Sequence, residues 1–156
     1  MKEYLPIIIT LIGAGFGAFF AFVKTKTEKR WSERYDAFSS IVYSANLIKD
    51  CYEILKTEQD VNGCIEVVSG KEWEALQGEM IEAKMKLRKE ISRLQLLVKE
   101  KNMIELDKSY FQLVKSFERL ALAGPQSYTQ DYMHDVIVAA DMVVVSTVKI
   151  SRLKFI

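Results

Sequence analysis

From Leu5 to Val23 the chain carries no charged side chain. Written as a helix, a run of that length and apolarity rises nearly the ~30 Å of a bilayer's hydrocarbon core, and it predicts a transmembrane anchor over about 4–23. Pro6 falls in the first turn, where its missing N–H costs little, and Tyr4 suits a headgroup boundary. Lys24, Lys26, Lys29 and Arg30 follow at once with only Glu28 against them, whereas Lys2 is the sole basic side chain ahead of the run. Basic residues favour the cytoplasmic side, so the expected localisation is the plasma (inner) membrane, crossed once, with the N-terminus outside and the C-terminal domain cytoplasmic. A cleaved signal peptide fits less well, because it calls for a shorter apolar region, a more basic start and a small-x-small cleavage site.

Within the run, Gly13 and Gly17 are four apart and Ala21 continues the row. Small residues at that spacing let two helix backbones approach closely, so Gly13, Gly17 and Ala21 are the expected self-association face of the transmembrane helix.

The remainder of the 156 residues differs in kind, being rich in charge and long enough to bury a core of its own. The expected domains are therefore the anchor at 1–23 and a helical-bundle domain at 24–156. A net charge of +1 gives no global attraction for polyanions, so no nucleic acid polymer is expected as a partner. Cys51 and Cys64 are too few for a disulfide framework and suit reduced thiols in a cytoplasmic domain.

Helical periodicity dominates this remainder. Trp31, Phe38, Ala45 and Tyr52 recur every seven residues, and Ile41, Ile48 and Leu55 follow on the adjacent line with Tyr35 and Val42 alongside, predicting a helix over about 24–57. No Gly or Pro separates it from the anchor, so the two are expected to run on as one rod. Segment 58–70 breaks the pattern and is expected to be a loop, with Cys64 to Val68 an alternative short strand. Ser69 with Glu72 forms a capping box for a helix over about 71–100, striped by Trp73, Leu76, Met80, Ala83, Leu87, Leu94 and Leu97, interrupted by Glu90 and flanked by Ile91 and Val98. Asn102 with Glu105 repeats the cap for a helix over about 103–123, striped by Met103, Leu106, Tyr110, Leu113, Phe117 and Leu120 and ended by Gly124-Pro125. Ser127 with Gln130 opens a fourth helix over about 128–153, striped by Tyr132, Val136, Ala139, Val143, Ser146, Ile150 and Leu153. That helix is apolar on nearly every side, which places it centrally in a bundle or under a partner subunit. The fold class expected is all-α: an N-terminal transmembrane helix continuing into a cytoplasmic antiparallel bundle of about four long helices.

Candidate chemistry is sparse. His134, the sole histidine, lies near Asp131, Asp135 and Asp141, but only Asp131 shares its helical face, which is too few ligands for zinc. Cys51 and Cys64 lack a Cys-x-x-Cys spacing. The glycines at 13, 15 and 17 are followed by no Lys-Ser/Thr pair in the register a phosphate loop requires, and no hydrolase, metalloprotease or kinase pattern occurs, so no enzyme activity, cofactor or metal is expected. Lys24, Lys26, Lys29, Arg30, Trp31 and Arg34 make a basic aromatic collar for anionic lipid or another anionic ligand.

An outside tail, one anchor, the Trp31-x-x-x-Tyr35-x-x-Phe38 helix and a small helical domain resemble uncharacterised bacterial single-pass membrane-anchored helical-bundle proteins. The same plan is similar to membrane effectors of bacterial antiviral defence that join an anchor to a cytoplasmic sensing domain. Heptad stripes on every cytoplasmic helix favour burial against other helices over a polar cleft. The expected function is a membrane-tethered, oligomeric, non-enzymatic interaction or regulatory module, with membrane lipid, further copies of the chain and a protein partner as its contacts. The alternative implied by the resemblance is a ligand-gated membrane sensor or membrane-perturbing effector.

Overall fold

A computed structural model describes residues 5–62, 70–123 and 130–152, with side chains described over 17–57, 74–122 and 131–152. The described residues form four helices: α1 (Leu5–Asn62), α2 (Gly70–Leu97), α3 (Glu100–Ala123) and α4 (Gln130–Ser151). The chain divides into two compact units, one up to Tyr35 and the other from Asp36 onward. The second unit is a helical bundle with one hydrophobic core.

Its packing follows from the heptad stripes. Phe38, Ile41, Ala45, Ile48, Tyr52 and Leu55 of α1 are buried, as are Met80, Ala83, Leu87, Ile91 and Leu94 of α2. Alternating steps of three and four keep one side of a 3.6-residue helix facing its neighbours. From α3 come Met103, Leu106, Leu113 and Leu120, with Tyr110 and Phe117 half-buried against the same core. Cross-helix contacts set the directions. Glu105, Ser109 and Arg119 of α3 meet Lys149, Ser146 and Asp135 of α4 in reverse order, so these two helices are antiparallel. The same reversal relates α2 to α3, where Gln95 donates to Asp107 at 3.0 Å and Lys84 lies over Phe117. Lys86 over Tyr43 joins α2 to α1, and Lys49 donating to Asp141 at 3.0 Å joins α1 to α4.

Several expectations are corrected. Among the described residues no helix is long and apolar enough to cross a membrane. This overturns the single-pass anchor over 4–23, and with it the inner-membrane localisation with the N-terminus outside. Tyr4 and the side chains of 5–16, Gly13 among them, lie outside the described residues. The first helix also continues through Asn62, past the expected loop start at 58. The proposed strand at 64–68 and the caps at Ser69 and Ser127 lie outside the described residues.

Asn102 is not a cap. α2 stops at Leu97, Val98 and Lys99 make the joint, and α3 begins at Glu100, with the Asn102 N–H donating to the Lys99 carbonyl at 2.9 Å. Glu100 in the first turn complements the positive end of the helix dipole. In α4 the buried line is Met133, Val136, Ala140, Val143, Thr147 and Ile150. Tyr132 and Ser146, on the expected stripe, are only half-buried, so the helix is rotated by a fraction of a turn from its expected orientation.

Candidate functional site

In the first unit every described residue from Gly17 to Ser32 is exposed. Thr25 and Thr27 hydroxyls donate to the Ala21 and Val23 carbonyls, holding the polar turn within the helix. A Cβ built on Gly17 meets no atom within 4 Å, and Ala21 is exposed. The collar residues Lys24, Lys26, Lys29, Arg30 and Trp31 are exposed and Arg34 is half-buried. Lys24 pairs with Glu28 at 3.9 Å, Lys26 lies 6.0 Å from the Phe22 ring centre, and Arg34 lies 5.9 Å from that of Trp31. Phe19, Phe20 and Phe22 are exposed alongside them.

Inside the second unit the polar groups are mostly satisfied locally. Ser116 and Thr147 return their hydroxyl protons to carbonyls four residues back. Ser109 donates to the Glu105 carbonyl at 2.9 Å, which leaves it to accept from Ser146 at 2.8 Å, a hydroxyl bridge between α3 and α4. Ser44 is the exception, a fully buried hydroxyl whose oxygen has no hydrogen-bond partner. Glu90 interrupts the α2 stripe yet is buried there, kept by Arg93 at 3.4 Å.

Lys84 sits where α1, α2 and α3 meet, with Nζ 3.9 Å from the Phe117 ring centre and 5.9 Å from that of Tyr52. Burial lowers its pKa, and the electron-rich ring faces offset part of the lost hydration. No sequence signal could show this cluster, because its members lie on three different helices. Burial raises the Cys51 thiol, with Glu79 and Asp50 adding to it, which suits an inert packed cysteine. Burial likewise raises Tyr110, opposed by Arg88. Lys49 is raised first by its hydrogen bond to Asp141 and then by the charge of that carboxylate.

The His134 grouping is dispersed. His134, Asp131 and Asp135 are exposed, Asp135 faces Arg119 at 3.8 Å, and Asp141 is taken up by Lys49. Among the described residues no group of three His, Cys, Asp or Glu side chains could hold a metal ion.

What the stripes alone did not reveal is a second set of apolar rows facing away from the core. Ile81, Met85 and Leu96 on α2, Ile104, Phe111 and Leu122 on α3, and Val138, Met142 and Val145 on α4 are all exposed. The spacing of Val138, Met142 and Val145 was visible, but general apolarity around α4 concealed which side it would face. No family model, curated protein or solved structure matches the chain.

Proposed function

We propose that the chain is a non-enzymatic helical interaction module that works as an oligomer of itself. The outward apolar rows on α2, α3 and α4 carry this reading. Scattered exposed apolar side chains are ordinary on any protein, but rows at helical spacing opposite a complete core stripe are surfaces for another helix. The bundle interior supports the same view, since its polar groups are mostly spent within helices or between neighbours. Light scattering coupled to size exclusion tests it on the full chain. The expected result is a mass that rises with concentration toward a defined multiple of 17.9 kDa. A constant monomer mass at every concentration overturns the proposal.

A second reading is a sensor of an anionic ligand. It draws on the exposed Lys24, Lys26, Lys29 and Arg30 with Arg34 beside Trp31, a basic and aromatic surface opposed by Glu28 and Glu33 alone in that stretch. A ligand that binds only the folded state raises its melting temperature. Inorganic phosphate, pyrophosphate and nucleotides at millimolar concentration should raise it; a flat response to all of them removes this reading.

A further inference from the structure

The exposed side of α4 has a chemical order along its length. Asp131 and Asp135 lie at its beginning, Val138, Met142 and Val145 in the middle, and Lys149 and Arg152 at or just past its end; all are exposed. At ~100° per residue these positions fall within about a third of the helix circumference, so they form one stripe. The middle is substantially open, with Val138 44%, Met142 48% and Val145 60% exposed. We propose that this stripe is the contact between two copies of the chain, packed α4 to α4 in antiparallel orientation about a two-fold axis near Met142.

The stripe is complementary to its own reversed copy. A two-fold contact brings one surface against itself in reverse, so a stripe can pair with its own copy only if its two ends attract and its centre tolerates its own image. Reversing α4 about position 142 sets Met142 against Met142 and brings Val138 within one residue of register with Val145 of the second copy. Asp135 then faces Lys149, and Asp131 lies one residue out of register with Arg152. The opposed helix dipoles add to the same preference, since each acidic, dipole-positive start lies against a basic, dipole-negative end. A parallel pairing would set acid against acid and base against base.

Neighbouring helices leave this complementarity in place. Arg119 of α3 faces Asp135 at 3.8 Å, and Glu105 faces Lys149 at 2.7 Å. With those neighbours counted, the start of the stripe still carries one net negative charge and its end one net positive charge. On the α1 side Lys49 holds Asp141 at 3.0 Å and removes the one bare carboxylate beside the apolar centre. A ridge of medium-sized apolar side chains bordered by satisfied ion pairs loses little on desolvation. A two-helix seam of this length belongs to the small, transient class of interfaces, so the dimer is expected to be concentration-dependent.

The proposal rests on the oligomeric reading above, and the experiments separate the two. In the full chain with Cys64→Ser, Met142→Cys should form a disulfide-linked dimer under mild oxidation. Val138→Cys mixed with Val145→Cys should cross-link, whereas Val138→Cys alone should not. Charge reversal reads the ends without touching the cross-helix pairs described above. Asp131→Arg or Arg152→Asp alone should raise the dimer dissociation constant about tenfold, because the two-fold axis repeats each repulsion, and the double variant should restore it to within about twofold. Retained helical circular dichroism shows that each variant is folded. If the protein is oligomeric but Met142→Cys stays unlinked and the reversals shift nothing, the α4 contact is wrong while the oligomeric reading stands. A chain monomeric at all concentrations removes both.

Discussion

Residues 17–35 and 36–57 belong to one helix and draw on the same residue types, yet they behave oppositely. Trp31 and Tyr35 continue the seven-residue pattern of Phe38, Ala45 and Tyr52, but the first two are exposed and the last three buried. A heptad phase makes one side of a helix available for burial. It does not supply the surface to bury against. From Phe38 onward that surface is the stripes of α2, α3 and α4, and the same aromatic side chains become core.

The two stretches should differ most in what a truncated side chain costs the fold. Ile48→Ala or Leu113→Ala, each at a fully buried position, should lower unfolding stability by about 2–5 kcal/mol, read by urea denaturation. Phe22→Ala removes more atoms yet should stay within about 0.5 kcal/mol in the same measurement, because its ring is exposed. Equal losses at Phe22 and Ile48 would erase the distinction between the two stretches.

Next in size is the buried carboxylate. Arg93→Ala leaves Glu90, whose side chain is 10% exposed, without its ion-pair partner and should cost about 1–2 kcal/mol, tempered because Arg93 is itself 42% exposed. Glu90→Leu, which restores the apolar stripe, should be neutral or stabilising. A large loss for Glu90→Leu would mean that the pair fixes the α2 register. Ser44→Ala deletes the unpartnered buried hydroxyl and improves helix propensity, so it should stabilise by about 0.5–1 kcal/mol.

The smallest expected effect is in alkaline stability. Cys51 and Tyr110 have folded-state pKa values above their ordinary 9.0 and 10.0, so above those values the unfolded chain releases protons that the folded chain keeps, and stability falls as pH rises. The Lys49 contribution, present below its ordinary 10.5, is lost as pH rises through the raised value. Lys84 is shifted the other way, and its contribution recovers as pH climbs toward 10.5. Melting temperature should therefore begin to drop above about pH 9, with Cys51 the first contributor. Cys51→Ala should start lower at pH 8, having lost a buried atom, and fall less steeply between pH 9 and 10. An unchanged slope would show that the thiol does not titrate the fold.

Much of the architecture was legible without coordinates, because periodicity is a local property. The buried lines of α1 and α3 contain the expected Phe38, Ile41, Ala45, Ile48, Tyr52, Leu55, Met103, Leu106, Leu113 and Leu120. Gly124-Pro125 falls directly after the last residue of α3. Where local signals compete, the neighbours decided. Asn102 could have capped a helix, yet α3 starts two residues earlier at Glu100. α4, apolar almost all round, offered several equivalent faces, and the seat of Ser146 against Ser109 goes with a rotation that buries Met133, Ala140 and Thr147. The uncharged run reads locally as a membrane span, but among the described residues no helix is long and apolar enough to cross a membrane.

The candidate surface shows the same division. The amino acids alone determined that α4 begins acidic, ends basic and is apolar between, since that order is written along one helix. Only tertiary structure decided that Val138, Met142 and Val145 face outward and that Lys49, Arg119 and Glu105 come alongside, because those side chains lie far away in sequence and meet α4 through packing. Spacing within a helix is set by bonds between near neighbours, whereas the choice of buried face is a property of the whole bundle.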